Sequence, residues 1–187
     1  MAISKIMEQS INDQINKEFY SAYLYLSMES YFDSKAMKGF ANWMRVQAQE
    51  EMTHAMKLFD HVSERGGRVT LTKIDTPQND WKTPLDVFEE VYAHEVIVTK
   101  SIHNLAEIAE KEKDRSALSF LQWYIDEQVE EEASADEIRQ KLMMTKQDSA
   151  GIFMIDQELA QRIFTNSAGV ASSIVAKKTM NAANGGA

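Results

Sequence analysis

Four long stretches of this sequence have helical apolar periodicity, and each carries a carboxylate in or beside the middle of its apolar face. That feature limits the chain to folds in which four acids can be brought together. The sharpest case is Glu50-Glu51-Met52-Thr53-His54. Residues three apart share a helix face, so Glu51 and His54 point the same way. Met44, Ala55, Leu58 and Val62 recur on that face, which makes it the core face. A buried carboxylate is costly unless it is paired or holds a cation.

The first helix is expected over residues 4 to 33, with Ile11, Ile15, Phe19, Ala22 and Leu26 as its stripe. Glu18 lies beside the stripe, and Tyr25 follows Glu18 at i+7. Asp33-Ser34 breaks the pattern, and Ser34 is read as the N-cap of a second helix from Lys35 to about Arg65. Gly66-Gly67 ends it. A third helix begins with Thr83 as N-cap, Pro84 in the first helical position and Asp86 completing a capping box, and runs to about Lys113. Its apolar face is Val91, Val98, Ile102 and Leu105, with Glu95 in the middle. Asp114 caps a fourth helix reaching about Thr145. Leu121, Ile125, Ala135, Ile138 and Leu142 form its face, interrupted by Gln128 and Glu131. A short fifth helix follows Ser149 within residues 150 to 165. Its apolar residues are Ile152, Phe153, Ile155, Leu159 and Ile163, a stripe expected to meet neighbouring subunits. Residues 1–166 read as one domain and 167–187 as a loosely ordered tail.

Residues 67 to 83 have no helical period, which is unusual for a connection this long. Seventeen extended residues span up to roughly 55 Å. A thirty-residue helix is about 45 Å long. The segment can therefore return the chain to its starting end, making the second and third helices parallel. The expected fold is all-α: a four-helix bundle with one long crossover between the second and third helices, plus the short fifth helix.

Composition removes several function classes. The chain has 187 residues and 44% apolar content, enough for one domain with a sizeable core. There is no Cys, which excludes disulfides, thiolate zinc sites and iron–sulfur ligation. The net charge of −9 argues against nucleic acid as a partner and suits a surface that handles cations. No membrane span is present and the N-terminus lacks an apolar signal core, so a cytoplasmic protein is expected.

Four carboxylates at one level repel strongly when left alone. Two divalent cations balance Glu18, Glu51, Glu95 and Glu131 charge for charge. Oxygen-rich ligation with one imidazole suits iron or manganese, with zinc as a competitor. From the residues alone three functions stay open: iron storage with ferroxidase activity, a di-iron or di-manganese enzyme acting on peroxide or an organic substrate, and a purely structural bundle.

Over residues 1 to about 165 the sequence resembles the prokaryotic non-haem ferritins. The likeness is carried by Asn16-Lys17-Glu18-Phe19-Tyr20-Ser21-Ala22-Tyr23-Leu24-Tyr25, Phe40-Ala41-Asn42-Trp43-Met44, Gln47-Ala48-Gln49-Glu50-Glu51-Met52-Thr53-His54, His94-Glu95, and Phe120-Leu121-Gln122-Trp123-Tyr124 with Glu127-Gln128-Val129-Glu130-Glu131-Glu132. The resemblance implies a ferroxidase centre that oxidises Fe(II) with dioxygen or peroxide. One iron would take Glu18, Glu51 and His54. The other would take Glu51 as a bridge, Glu95 and Glu131, with Gln128 adjacent and Tyr25 beside the centre. It implies a third iron site from Glu50, Glu127 and Glu130, with Glu131 shared. It also implies a homo-oligomeric shell of twenty-four subunits holding ferric mineral. Bacterioferritins carry a second Glu-x-x-His on the fourth helix, where this chain has Gln128 and Glu131. Met52 stands at the haem-ligand position of those cousins, and no haem is expected. His61, His94 and His103 are read as ordinary packing or surface residues.

Overall fold

The structure, a computed structural model, describes residues 2–146 and 148–165. The chain forms α1 (Lys5–Ser34), α2 (Lys38–Glu64), α3 (Pro84–Lys111), α4 (Arg115–Thr145) and α5 (Ser149–Leu159), with no strand among the described residues. This is the expected four-helix bundle with a short fifth helix. The expected tail over 167–187 lies outside the described residues.

Most helix starts follow local capping chemistry. The Ser4 side chain accepts from the Met7 amide, and the Thr83–Asp86 capping box is present in full. Asp114 accepts from the Ala117 amide and Asp148 from the Gly151 amide. Each of these side chains satisfies an amide that the helix leaves without a partner.

The start of α2 differs from expectation. Ser34 is the last residue of α1, and its hydroxyl donates to the Tyr31 carbonyl. Ala36 turns the chain with a φ of 59°, and Met37 occupies the N-cap without a side-chain bond. The cap comes from far along the chain instead. Asp156 of α5 accepts from the amides of Gly39 at 2.8 Å and Phe40 at 3.0 Å. A Cβ on Gly39 would stand 1.6 Å from the Asp156 carbonyl oxygen, so only glycine permits this approach.

The long connection behaves as its length requires. At its start, the Ile3 amide donates to the Arg65 carbonyl. Farther along, Asn12 donates to the Arg68 carbonyl and Asn16 to that of Lys73. Ser27 then donates to the Gln78 carbonyl, and the Trp81 ring meets Tyr31 edge-on at 5.3 Å. The segment thus follows α1 from its N-terminal to its C-terminal end. Because α1 and α2 are joined by a tight turn, α3 starts where α2 started, and the two run parallel.

Two expectations about packing are corrected. On α1, Leu26 is 40% exposed and Phe19 only half-buried, whereas Met7, Ile11, Ile15, Ala22, Tyr25, Met28 and Phe32 are buried. The expected stripe advances 15 residues in four turns, a drift of about 60° from the true face at 3.6 residues per turn. On α5, Ile155 and Leu159 are buried in this chain's own core and Ile152 packs against it, while Phe153 and Ile163 are exposed. The helix also ends at Leu159 rather than near 165. Asn42 of α2 there donates to the carbonyls of Leu159 at 3.1 Å and Arg162 at 3.0 Å, taking up groups that a helix end leaves open. The fifth helix therefore completes this chain's own core as well as presenting apolar residues outward.

The apolar interior falls into two clusters. One holds Phe32, Phe40, Met44, Phe88, Val91 and Ala135 toward the α5 end. The other holds Ile11, Ile15, Leu58, Val62, Ile102 and Leu121 toward the N-terminal end. On each long helix the buried acid lies in sequence between the residues of the two clusters, so a polar belt divides the core.

Candidate metal centre

The belt contains Gln14, Glu18, Gln47, Glu51, His54, Glu95, Gln128 and Glu131, all buried. Each long helix contributes. The heptad-like spacing that keeps apolar residues inward also carries these polar side chains inward at mid-helix.

The structure brings Glu18, Glu51 and His54 together, with one donor atom of each within 4.8 Å of the others. His54, Glu127 and Glu131 form a second such group. His54 Nδ1 lies 3.6 Å from Glu51 Oε2. Glu95 belongs to neither group among the described residues. Its carboxylate is engaged by the Tyr25 hydroxyl and by Gln128 Nε2 at 3.3 Å. Gln128 also reaches Thr99 Oγ1 at 3.2 Å.

Glu50, Glu127, Glu130 and Glu131 line a separate cavity of about 230 Å³ beside this centre. Glu130 is exposed and Glu127 half-buried, so this second layer opens toward solvent. Met52 is 47% exposed, in an apolar hollow with Phe19, Tyr23, Leu26 and Ile74. His61 is buried and stacked on Phe120 at 3.9 Å, and His103 is exposed. The His94 ring meets Tyr25 edge-on at 6.1 Å, and its Nε2 pairs with Ser21 Oγ at 2.8 Å.

Burial dominates the electrostatics. It pushes Glu18 up to about 8, with the Glu51 charge adding to the effect. Glu95 is likewise raised to about 8 by burial and then by Glu131. Glu51 is raised well above the usual carboxylate range by burial, with Glu95 and Glu131 as further causes. Burial also raises Tyr25 well above the usual phenol range, and that hydroxyl remains a donor to Glu95. Burial thus inclines Glu18, Glu51 and Glu95 toward the protonated form near neutral pH.

The donor set suits a hard divalent cation. Glu51 Oε2 and His54 Nε2 are buried without a hydrogen-bond partner. Buried polar atoms are rarely left so, and an ion satisfies both.

Several residues that hold the ligands were not singled out from sequence. Gln14 Nε2 donates to Glu18 Oε1 at 2.7 Å, and Gln47 Nε2 donates to Glu131 Oε2. A signal for both existed: Gln14 precedes Glu18 by one turn, and Gln47 precedes Glu51 by one turn. Arg162 bonds Glu50 Oε2 at 2.6 Å, and nothing local in the sequence announced it.

The comparisons agree with one another. A family model described as a ferritin-like domain matches residues 8–145. A bacterial non-heme ferritin of Bacteroides fragilis is 46% identical over 160 residues, covering 86% of this chain and 99% of the relative. An open-pore ferritin of the hyperthermophilic archaeon Archaeoglobus fulgidus superposes with a TM-score of 0.86 at 57% identity, covering 87% of this chain and 100% of that one. A closed form of the Archaeoglobus fulgidus ferritin, engineered by site-directed mutagenesis, is 58% identical, with a TM-score of 0.86 and coverage of 88% and 100%. An acid-lined belt across a crossover four-helix bundle, together with relatives matched along nearly their whole length, places this chain in the ferritin family, in its prokaryotic non-haem branch.

Proposed function

We propose that this protein stores iron, oxidising Fe(II) with dioxygen at the buried centre and keeping the ferric product inside a shell of identical subunits. The observation that supports it most is the pair of unpartnered, buried donors, Glu51 Oε2 and His54 Nε2, inside a belt of acids. In this reading one ferrous ion is bound by Glu18, Glu51 and His54. A second is bound by Glu51, Glu95 and Glu131, with Gln128 beside it. Glu50, Glu127 and Glu130, sharing Glu131, take a third ion in the adjoining cavity.

The chemistry follows from the ligands. Two ferrous ions supply two electrons, the number that reduces one dioxygen to peroxide. Hard carboxylates favour ferric over ferrous iron, so the set lowers the potential and promotes oxidation. Glu18 and Glu95 must give up protons as cations enter. Binding therefore tightens as pH rises toward about 8, and each ion taken up releases protons. Tyr25 holds Glu95 through its hydroxyl. Gln14 and Gln47 hold Glu18 and Glu131, limiting how far those carboxylates swing.

Assembly is supported by an outward apolar hollow lined by Phe19, Ala22, Tyr23, Leu26, Met52 and Ile74. Tyr23 is 52% exposed and Met52 47% exposed, a surface that a second copy of the chain would cover. The family reading makes the closed assembly a shell of twenty-four subunits.

Two measurements test the proposal together. Glu51→Ala and His54→Ala should abolish rapid aerobic Fe(II) oxidation with the helical content unchanged. Size-exclusion chromatography of the iron-loaded parent should give a very large particle that retains iron. Undiminished oxidation in both variants would overturn the centre, and a small oligomer with two metals per chain would overturn storage in favour of a di-iron enzyme.

A further inference from the structure

Arg162 lies just beyond α5, yet its side chain enters the acidic layer on α2 and α4. One guanidinium nitrogen bonds Glu50 Oε2 at 2.6 Å, and the other bonds Gln47 Oε1 at 2.8 Å. The guanidinium also lies over the Trp43 ring, 4.6 Å from its centroid. Its backbone is fixed as well, because Asn42 Nδ2 donates to the Arg162 carbonyl at 3.0 Å. Arg162 lines the same cavity as Glu50, Glu127, Glu130 and Glu131, together with Ser134 and Thr165. The only cationic side chain lining that cavity among the described residues is therefore carried by the segment that follows α5.

We propose that Arg162 is an internal counter-cation for the second acidic layer, and that a divalent cation must take Glu50 from it in order to bind there. A carboxylate that accepts a guanidinium bond offers less of its charge to a metal. A metal ion next to a fixed guanidinium is also repelled. Occupation of the layer should then loosen Arg162, and with it the segment 160–165 that Asn42 and Trp43 hold down. The layer would thereby be coupled to the C-terminal side of α5, and its affinity would be set below that of the paired centre. Iron passing through would bind weakly enough to move on. This inference rests on the iron-handling reading, in particular on a third ion near Glu50.

The mutational test runs opposite to structural damage. In Arg162→Met, which keeps bulk over Trp43 but removes the charge, the second layer should bind metal about tenfold more tightly. Arg162→Lys, which keeps a charge but loses the two-pronged bond, should fall between variant and parent. Occupancy is read by anomalous diffraction from crystals soaked in graded zinc, and affinity by sensitised terbium luminescence from the assembled protein. In the parent, hydrogen exchange across 160–165 should quicken when the layer fills. Unchanged or weakened affinity in Arg162→Met would overturn the proposal, as would exchange at 160–165 that ignores metal. A third metal absent from parent and variant alike would also overturn it, while two metals still bound in the belt would leave the paired centre standing.

Discussion

Glu18→Gln probes whether the metal-free centre is a set of acids held against ionisation. Glu18 is 1% exposed and its acidity is shifted from 4.5 up to about 8, first by burial and then by the Glu51 charge. In the unfolded chain the same group ionises near 4.5. The native state therefore holds more protons between those values, and stability must fall as pH rises through that window. The slope approaches 1.4 kcal/mol per pH unit for one group, amounting to at most about 3 kcal/mol by pH 7. Glutamine removes the titration, keeps the volume, and retains an oxygen to accept from Gln14, now at 2.7 Å from Glu18. The chelated variant should match the parent near pH 4.5 and exceed its stability by up to about 3 kcal/mol at pH 7. Urea denaturation of chelated protein, followed by tryptophan fluorescence from pH 4.5 to 8, measures this directly. Iron oxidation should be lost in the same variant. A pH slope equal to the parent's, or a less stable variant at pH 7, would refute the reasoning.

Other expectations follow from single contacts. Asp156→Ala removes the carboxylate that accepts from Gly39 and Phe40, and should cost about 1–2 kcal/mol in thermal or urea unfolding, as loss of a helix cap does. Gly39→Ala should cost more, because its Cβ would meet the Asp156 carbonyl oxygen at 1.6 Å and force α5 off α2; equal stability in both variants would contradict that role for α5. Tyr25→Phe leaves Glu95 without its phenolic donor and should weaken anaerobic Fe(II) binding at one of the two positions by about tenfold, the scale of one charge-assisted hydrogen bond. Unaltered titration calorimetry would show that Tyr25 serves packing alone.

The bundle was legible because its determinants are local and periodic. The capping box at Thr83, the glycines after α2 and the periodic apolar face of α3 all lie within a few residues of what they specify. The crossover was legible from length alone, since only a chain-long return uses so many aperiodic residues. The start of α2 was not legible, because its cap is Asp156, more than a hundred residues away. The same distance hid Arg162. The face of α1 was misjudged at Leu26 because a stripe stepping mostly by four residues drifts off a 3.6-residue helix. The acids were readable as intrusions into apolar faces. Which atoms converge was not, because each carboxylate's position depends on donors from other helices, as Glu95 depends on Tyr25 and Gln128.

The central claim is that the polar belt is built for two iron ions. Crystals of the assembled protein, soaked anaerobically in Fe(II) and measured on both sides of the iron absorption edge, test it most directly. The account predicts two anomalous peaks in the belt between the apolar clusters, one among Glu18, Glu51 and His54 and one among Glu51, Glu95 and Glu131. Glu95 should reach the second peak with the Tyr25 hydroxyl still donating to its other oxygen. Iron confined to the exposed acidic layer, with Glu51 Oε2 and His54 Nε2 still unpartnered, would contradict it.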